Sequence, residues 1–97
     1  MLVIVSYDVS VTTEDGKKRL RRVAKICKKY GQRVQNSVFE CQVTSVQLVS
    51  LKAELLREID DTRDSLRFYS LGNHYDTKIE HYGVTGFLDL QKDTLLI

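Results

Sequence analysis

The first eight residues limit the possible fold of this chain more than any other segment. Leu2-Val3-Ile4-Val5 is a short apolar run rich in β-branched residues, which is typical of a buried strand. Because both alternating faces of the run are apolar, both faces of the strand should be covered. The strand ends at Asp8, the only acidic residue before Glu14. A carboxylate at the edge of a core needs a cation, a hydrogen-bond donor or a metal as its partner.

Length and composition indicate one domain that covers residues 1–97. The chain has no proline, no tryptophan, no internal repeat and no linker that would divide it. No apolar run approaches the roughly 20 residues of a membrane span, and Met1 opens a strand, not a signal peptide, so we expect no membrane contact. Cys27 and Cys41 lack CxxC spacing, which favours reduced thiols in a cytoplasmic protein.

A basic helix is predicted from about Glu14 to Tyr30. Thr12 or Thr13 can cap its start, and Gly31 is expected as its C′ stop. Its buried stripe would consist of Leu20, Val23, Ala24, Cys27 and Tyr30. The other faces carry most of the positive charge of the chain, on Lys17, Lys18, Arg19, Arg21, Arg22, Lys25, Lys28 and Lys29. This one-sided charge indicates a surface for phosphate groups, and the alternative is an ordinary solvated helix face.

The rest of the chain is predicted to form three further strands and a second helix. Residues 32–43 read as two strands broken near Asn36-Ser37, with Phe39, Cys41 and Val43 pointing inward. Thr44 and Gln47 fit a capping box for a helix whose apolar stripe is Leu48, Leu51, Leu55 and Ile59. A fourth strand covers Ser65 to Leu71, a turn follows at Gly72-Asn73, and Thr77 to Gly83 is a candidate fifth strand.

This order, β-α-β-β-α-β, is the ferredoxin-like α+β plan, in which two helices cover one face of an antiparallel sheet. The other face would still be apolar in the first strand, and Val34, Val38 and Tyr69 would add to it. A second copy of the chain is the expected cover, so we predict an obligate homodimer packed sheet to sheet. The C-terminal extension, about residues 77–97, would contact the partner protomer.

The homodimer suggests a metal site that one chain alone does not offer. A two-fold axis near the first strand would bring two Asp8 carboxylates together, which suits Mg²⁺ because this ion keeps several of its waters. Metal-bound water and a polarised phosphoryl oxygen are the minimum for phosphodiester hydrolysis. The alternative is that Asp8 only caps the end of the strand. His74 and His81 lie seven residues apart, outside the usual spacing of zinc ligands.

Three segments together resemble a known family. They are Val3-Ile4-Val5-Ser6-Tyr7-Asp8, then Arg33-Val34-Gln35-Asn36-Ser37-Val38-Phe39-Glu40 after Gly31, then Asp64-Ser65-Leu66-Arg67-Phe68-Tyr69. They look like the small CRISPR-associated "Cas-two" (Cas2) family, and the resemblance covers essentially the whole chain. The ending from Gly72-Asn73-His74-Tyr75 to Glu80-His81-Tyr82-Gly83 resembles the variety that accompanies type I-C systems.

The resemblance implies a ferredoxin-like homodimer that acts in spacer acquisition beside a larger CRISPR-associated integrase subunit. Members are described as Mg²⁺-dependent endonucleases on RNA or double-stranded DNA, and Mn²⁺ is another possible cation. Others serve as a non-catalytic, nucleic-acid-binding bridge between integrase subunits. Asp8 matches the metal-binding and catalytic acid of the family. The positions that match residues at the nucleic acid or the cleft are Tyr7, Arg19, Arg22, Arg33, Ser37 and Phe39.

Overall fold

The chain folds into six elements in the order that the sequence predicts. The computed structural model describes residues 1–74 and 77–83. Its elements are β1 (Leu2–Asp8), α1 (Glu14–Tyr30), β2 (Gly31–Gln35), β3 (Val38–Gln42), α2 (Ser45–Glu58) and β4 (Ser65–Gly72).

The four strands form one antiparallel sheet in the order β2-β3-β1-β4. Val5 at the centre of β1 lies opposite Phe39 of β3 on one side and Phe68 of β4 on the other. Both helices pack on the same face of the sheet, because α1 and α2 contribute buried side chains to a single core cluster with β1 and β3. The ferredoxin-like α+β prediction is therefore confirmed.

The helix ends follow from local side-chain chemistry. The Thr13 hydroxyl accepts a hydrogen bond from the Gly16 amide at 3.0 Å, and this bond starts α1. The predicted capping box of α2 is formed: Thr44 accepts from the Gln47 amide at 3.1 Å, and its own amide donates to the Gln47 side chain at 2.9 Å.

Gly31 ends α1 for a different reason than the sequence pattern suggests. Its backbone is extended, with φ at −165°, so it does not take the left-handed conformation of a C′ glycine. Glycine is required here because of a close approach between chain segments. A Cβ atom at this position would lie 2.2 Å from the Glu40 carbonyl oxygen and 2.7 Å from Cys41 Sγ.

The two cysteines are free thiols inside the core. Burial raises the pKa of Cys27 to about 12 and that of Cys41 to about 11. Both thiols are therefore protonated at neutral pH and poorly nucleophilic, as expected for structural cysteines.

The sheet face opposite the helices carries both apolar and polar side chains. Alternation along the strands and the strand register place there Ile4, Ser6, Asp8, Val38, Glu40, Arg67 and Tyr69, which we call the open sheet face. Val34 lies at a register shift between Arg33 and Gln35, so it does not extend a regular apolar row. This face therefore combines the apolar residues Ile4, Val38 and Tyr69 with the charged residues Asp8, Glu40 and Arg67.

The predicted fifth strand at Thr77–Gly83 is not formed in this protomer. Thr77 and Lys78 are in a turn, and the following residues to Gly83 have no regular structure. A strand needs a neighbouring strand to accept its hydrogen bonds, and this segment pairs with none of the four described strands. Residues 84–97, in which the predicted extension continues, lie outside the described residues. Neither α1 nor α2, the two helices of the described ranges, has the length and hydropathy of a bilayer span.

Candidate nucleic-acid and metal site

Asp8 is the last residue of the central strand, and it is exposed. Since Val3, Val5 and Tyr7 point toward the helices, alternation directs the Asp8 side chain to the open sheet face. In the register of β1 and β4 it lies opposite Ser65. The Asp8 carboxylate can therefore be reached by a cation, by a nucleic acid or by a second protomer.

The carboxylate of Asp64, which immediately precedes β4, is completely buried and accepts four hydrogen bonds. Two come from the Arg19 guanidinium, from Nε at 2.9 Å and from Nη2 at 3.2 Å. The other two come from the backbone amides of Ser10 at 3.0 Å and Asp60 at 2.9 Å. Arg19 also donates to Asp15 at 2.9 Å. We call these groups the Asp64 network.

The Asp64 network fixes the backbone on both sides of Asp8. Ser10 follows Asp8 by two residues, and Ser65, which lies opposite Asp8, is the next residue after Asp64. The hydrogen bonds from Arg19 hold the pKa of the Asp64 carboxyl below its usual range, although burial alone would raise it. Asp64 is therefore a charged, buried anchor beneath the exposed acid.

Tyr7, Arg33 and Phe39 lie together on the helix side of the sheet. The rings of Tyr7 and Phe39 are both buried and stack with centroids 6.2 Å apart. The Arg33 guanidinium lies 5.1 Å from the centre of the Phe39 ring, within cation–π distance. Burial raises the pKa of the Tyr7 hydroxyl, and Arg33 partly opposes that shift. In this protomer the three residues stabilise the sheet on the face opposite that of Asp8.

The other candidate residues differ in their access to solvent. Ser37 is half-buried in the turn between β2 and β3, and its carbonyl accepts a hydrogen bond from the Tyr7 amide at 3.1 Å, so this turn lies beside the end of β1. Arg22 is half exposed and donates to Glu58 of α2 at 2.7 Å. Arg19 is buried within the Asp64 network. A contact between Arg19 and nucleic acid would require that network to open.

Asp8 presents an exposed carboxylate at this end of the open sheet face, without a closed cluster of other metal ligands around it among the described residues. Within residues 1–74 and 77–83, no three His, Cys, Asp or Glu side chains lie close enough to hold a metal ion together. A Mg²⁺ ion needs only one or two protein carboxylates, since water fills its remaining positions. Asp8 therefore fits a Mg²⁺ ligand that is completed from outside the chain, but not a closed metal centre.

Sequence reasoning gave Asp64 no role and left Arg19 as a surface cation. One sequence signal did point inward: Arg19 precedes Val23 by four residues, so helical spacing places both on the buried face of α1. A buried arginine needs an acidic partner, but nothing in the spacing selects Asp64 from the other acids of the chain.

Comparison with known proteins agrees with this architecture. The family model for "CRISPR associated protein Cas2" matches residues 1–79. A protein of Halalkalibacterium halodurans named CRISPR-associated endonuclease Cas2 is 59% identical over 91 residues, which are 94% of this chain and 95% of the relative. A protein of Chlorobaculum tepidum named CRISPR-associated endoribonuclease Cas2 is 51% identical over 96 residues, 99% of this chain and 100% of the relative.

A solved structure shares both fold and sequence with this chain. The crystal structure of Streptococcus pyogenes Cas2 at pH 6.5 superposes with a TM-score of 0.75 at 53% sequence identity, covering 86% of this chain and 100% of that one. The family match, the near full-length relatives and the shared fold lead to one assignment: this chain belongs to the Cas2 family of CRISPR-associated proteins.

Proposed function

We propose that this protein is a metal-dependent endonuclease that hydrolyses phosphodiester bonds of RNA or double-stranded DNA during spacer acquisition. The names of the two relatives, an endonuclease and an endoribonuclease, support the reaction class. The observation that carries the proposal is the position of Asp8, an exposed acid on the open sheet face whose backbone is fixed by the Asp64 network. Such rigid support suits a group that must hold a cation in a defined place.

In the proposed site, the Asp8 carboxylates of two protomers hold one Mg²⁺ or a similar divalent cation such as Mn²⁺. When bound, such a cation polarises a phosphoryl oxygen of the substrate and lowers the pKa of a water bound to the cation. The chain supplies position and charge. Arg22 is exposed and Ser37 is half-buried, and both are proposed to contact the nucleic acid, whereas Tyr7, Arg33 and Phe39 hold the β2–β3 turn beside Asp8.

A homodimer that packs through the open sheet faces would bring the two acids together. Ile4 and Val38 are half-buried on this face, and Tyr69 remains 46% exposed. Burial of these side chains against their copies would shield apolar area, and the charged residues between them would set the alignment. We infer that the extension of about residues 77–97 adds to the partner at a sheet edge, where unpaired backbone groups are available.

We expect the wild-type protein to sediment at twice its 11.2 kDa chain mass at micromolar concentration, with no stable folded monomer. Its melting temperature should rise with protein concentration. Tyr69→Lys should shift the protein toward monomer by at least about tenfold in the dimer dissociation constant, since it places two cations at the interface. Leu56→Lys is the matched control, because Leu56 is 61% exposed on α2, and it should leave the dimer intact. A compact, folded monomer in the wild type would refute the dimer.

Asp8→Asn should abolish metal-dependent cleavage and leave the fold and the dimer unchanged, because the amide keeps the shape of the side chain but loses its charge. Asp61→Asn is the control, since Asp61 is an exposed acid in the turn after α2. In a mixed dimer of one wild-type and one Asp8→Asn chain, a shared metal predicts well under half of wild-type activity, whereas two independent sites predict about half. Full activity in the Asp8→Asn homodimer would refute Asp8 as the metal ligand, and no metal-dependent cleavage by the wild type would refute the nuclease.

No group of three potential metal ligands is present among the described residues, which also favours a second candidate function, a non-catalytic adaptor that bridges larger integrase subunits on nucleic acid. The same Asp8→Asn protein separates the two in a spacer-integration assay. Loss of both cleavage and integration supports the nuclease. Loss of cleavage with normal integration supports the adaptor.

A further inference from the structure

The exposed cations of α1 fall into two groups. In one group each cation is held by a carboxylate: Lys17 by Glu14 at 3.3 Å, Arg22 by Glu58 at 2.7 Å, and Lys29 by Glu54. The second group has no carboxylate partner among the residues that the structure describes. We call it the α1 cation stripe, and it consists of Lys18, Arg21, Lys25 and Lys28.

The α1 cation stripe is one continuous line on the helix. Its members follow one another at steps of three, four and three residues, so at 3.6 residues per turn they fall within an arc of about 80°. This arc is opposite Val23 and Cys27, which are fully buried, and all four stripe residues are exposed. At 1.5 Å per residue the stripe is about 15 Å long.

This arrangement is unfavourable for the helix by itself. Like charges three or four residues apart repel each other, and the stripe contains three such pairs in succession. The acids of α1, Glu14 and Asp15, are both in its first turn and bind Lys17 and Arg19 instead. On the flank that faces α2, by contrast, Arg22 and Lys29 each have a carboxylate partner.

We propose that the α1 cation stripe binds the phosphates of a double-helical nucleic acid, as a second contact surface on the side of the sheet opposite the Asp8 carboxylate. The inference rests on the proposed function only in its ligand class. Phosphates advance about 3.4 Å along the axis of a duplex per strand, so a 15 Å stripe spans about four of them. Because phosphate carries no base information, this contact is independent of sequence. Since the helices cover the face opposite the open sheet face, the stripe stays accessible in a sheet-to-sheet dimer.

The chain offers a closely matched pair of variants to test this. The triple variant Lys18→Gln, Arg21→Gln, Lys25→Gln removes three stripe cations, and Lys17→Gln, Arg22→Gln, Lys29→Gln removes three paired ones. Each variant loses two lysines and one arginine from the same helix, so net charge and composition are equal. Binding to a duplex DNA oligonucleotide is measured by fluorescence anisotropy between 50 and 200 mM salt.

The stripe variant should weaken duplex binding at least about 30-fold near 100 mM salt and reduce the log–log salt slope by about 2.7, or about 0.9 per lost phosphate contact. The paired-cation variant should change the slope by about 0.9 or less, because Arg22 is the only one of its three cations that is proposed to contact the nucleic acid. The order of the two variants should be reversed in thermal stability. The stripe variant should melt at or above the wild-type temperature, because repulsion between its cations is relieved. The paired-cation variant should melt below the wild-type temperature, because it loses its ion pairs with α2.

Equal losses of affinity in the two variants would mean that only net charge matters for binding. That result would refute a specific role of the stripe in duplex binding. Unchanged binding in the stripe variant, with Asp8-dependent cleavage still present, would refute the stripe and leave the nuclease standing. Binding of polyglutamate to the stripe that duplex DNA does not displace would identify an acidic protein as the partner. That result would also refute a nucleic acid as the ligand of the stripe. A duplex RNA of the same length, bound with the same loss in the stripe variant, would support a shared backbone contact; binding of RNA alone would restrict the ligand to RNA.

Discussion

Asp64→Ala is expected to lower the free energy of unfolding by about 3 to 5 kcal/mol, the usual effect of removing one partner from a buried ion pair. The substitution leaves the buried Arg19 guanidinium without its main acceptor and the amides of Ser10 and Asp60 without theirs. Urea unfolding at fixed protein concentration measures the effect, and Asp61→Ala, an exposed acid of the same loop, should change stability by less than about 0.5 kcal/mol. A loss below about 1 kcal/mol in Asp64→Ala would contradict the role of the network.

The same pair should make stability depend on acid pH. Arg19 holds the pKa of Asp64 below its unfolded value of about 3.9, so folding favours the ionised form. This contribution is complete above the unfolded pKa and is lost as pH falls through the lower native pKa. The stability difference between wild type and Asp64→Asn should therefore be constant above about pH 5 and shrink below about pH 4. A difference that stays constant into that acid range would exclude an ionised Asp64.

Gly16→Ala is expected to destabilise the protein by about 3 kcal/mol, although alanine is the better helix former by about 1 kcal/mol. A Cβ atom on Gly16 would lie 2.0 Å from the Ser10 carbonyl oxygen and 3.3 Å from the Val11 Cα. Both contacts are with backbone, so no side chain can rotate to relieve them. Either α1 or the loop after Asp8 must shift, and chemical denaturation of the purified variant would measure the result.

Gly72→Ala provides the comparison, because Gly72 has a positive φ of 76° and nothing within 4 Å of its would-be Cβ. Backbone strain alone should cost about 1 kcal/mol there. If Gly16→Ala proves stabilising, helix propensity outweighs the close approach and the described packing of α1 on this loop is wrong.

The elements that depend on local chemistry were predictable from the sequence. The bounds of α1, the capping box at Thr44 and Gln47, and the inward alternation of Phe39 and Cys41 all follow from short-range periodicity and hydrogen bonding. The β-α-β-β-α-β order then leaves few ways to arrange four strands and two helices, so the sheet followed as well.

Features that depend on residues far apart in the sequence could not be predicted from local sequence patterns. Arg19 appears in the sequence as one more cation of a basic helix, and only the folded chain brings Asp64 to it. The strand expected at Thr77–Gly83 pairs with none of the four described strands, and local sequence does not determine which sheet edge a strand joins. Of the candidate site, the exposed position of Asp8 at a strand end was predictable, but the network that supports it was not.

The central position of β1 also affects how the chain reaches its native state. β1 is synthesised first, but β3 and β4, the two strands with which it pairs, are synthesised later. Its last residue, Asp8, pairs with Ser65. Such long sequence separation slows folding and leaves an apolar, β-prone segment exposed on the nascent chain. Asp8 is the only charged side chain among the first 13 residues and directly follows this segment. Charges that flank such strands oppose self-association, so the same carboxylate is placed to protect the newly made chain from aggregation.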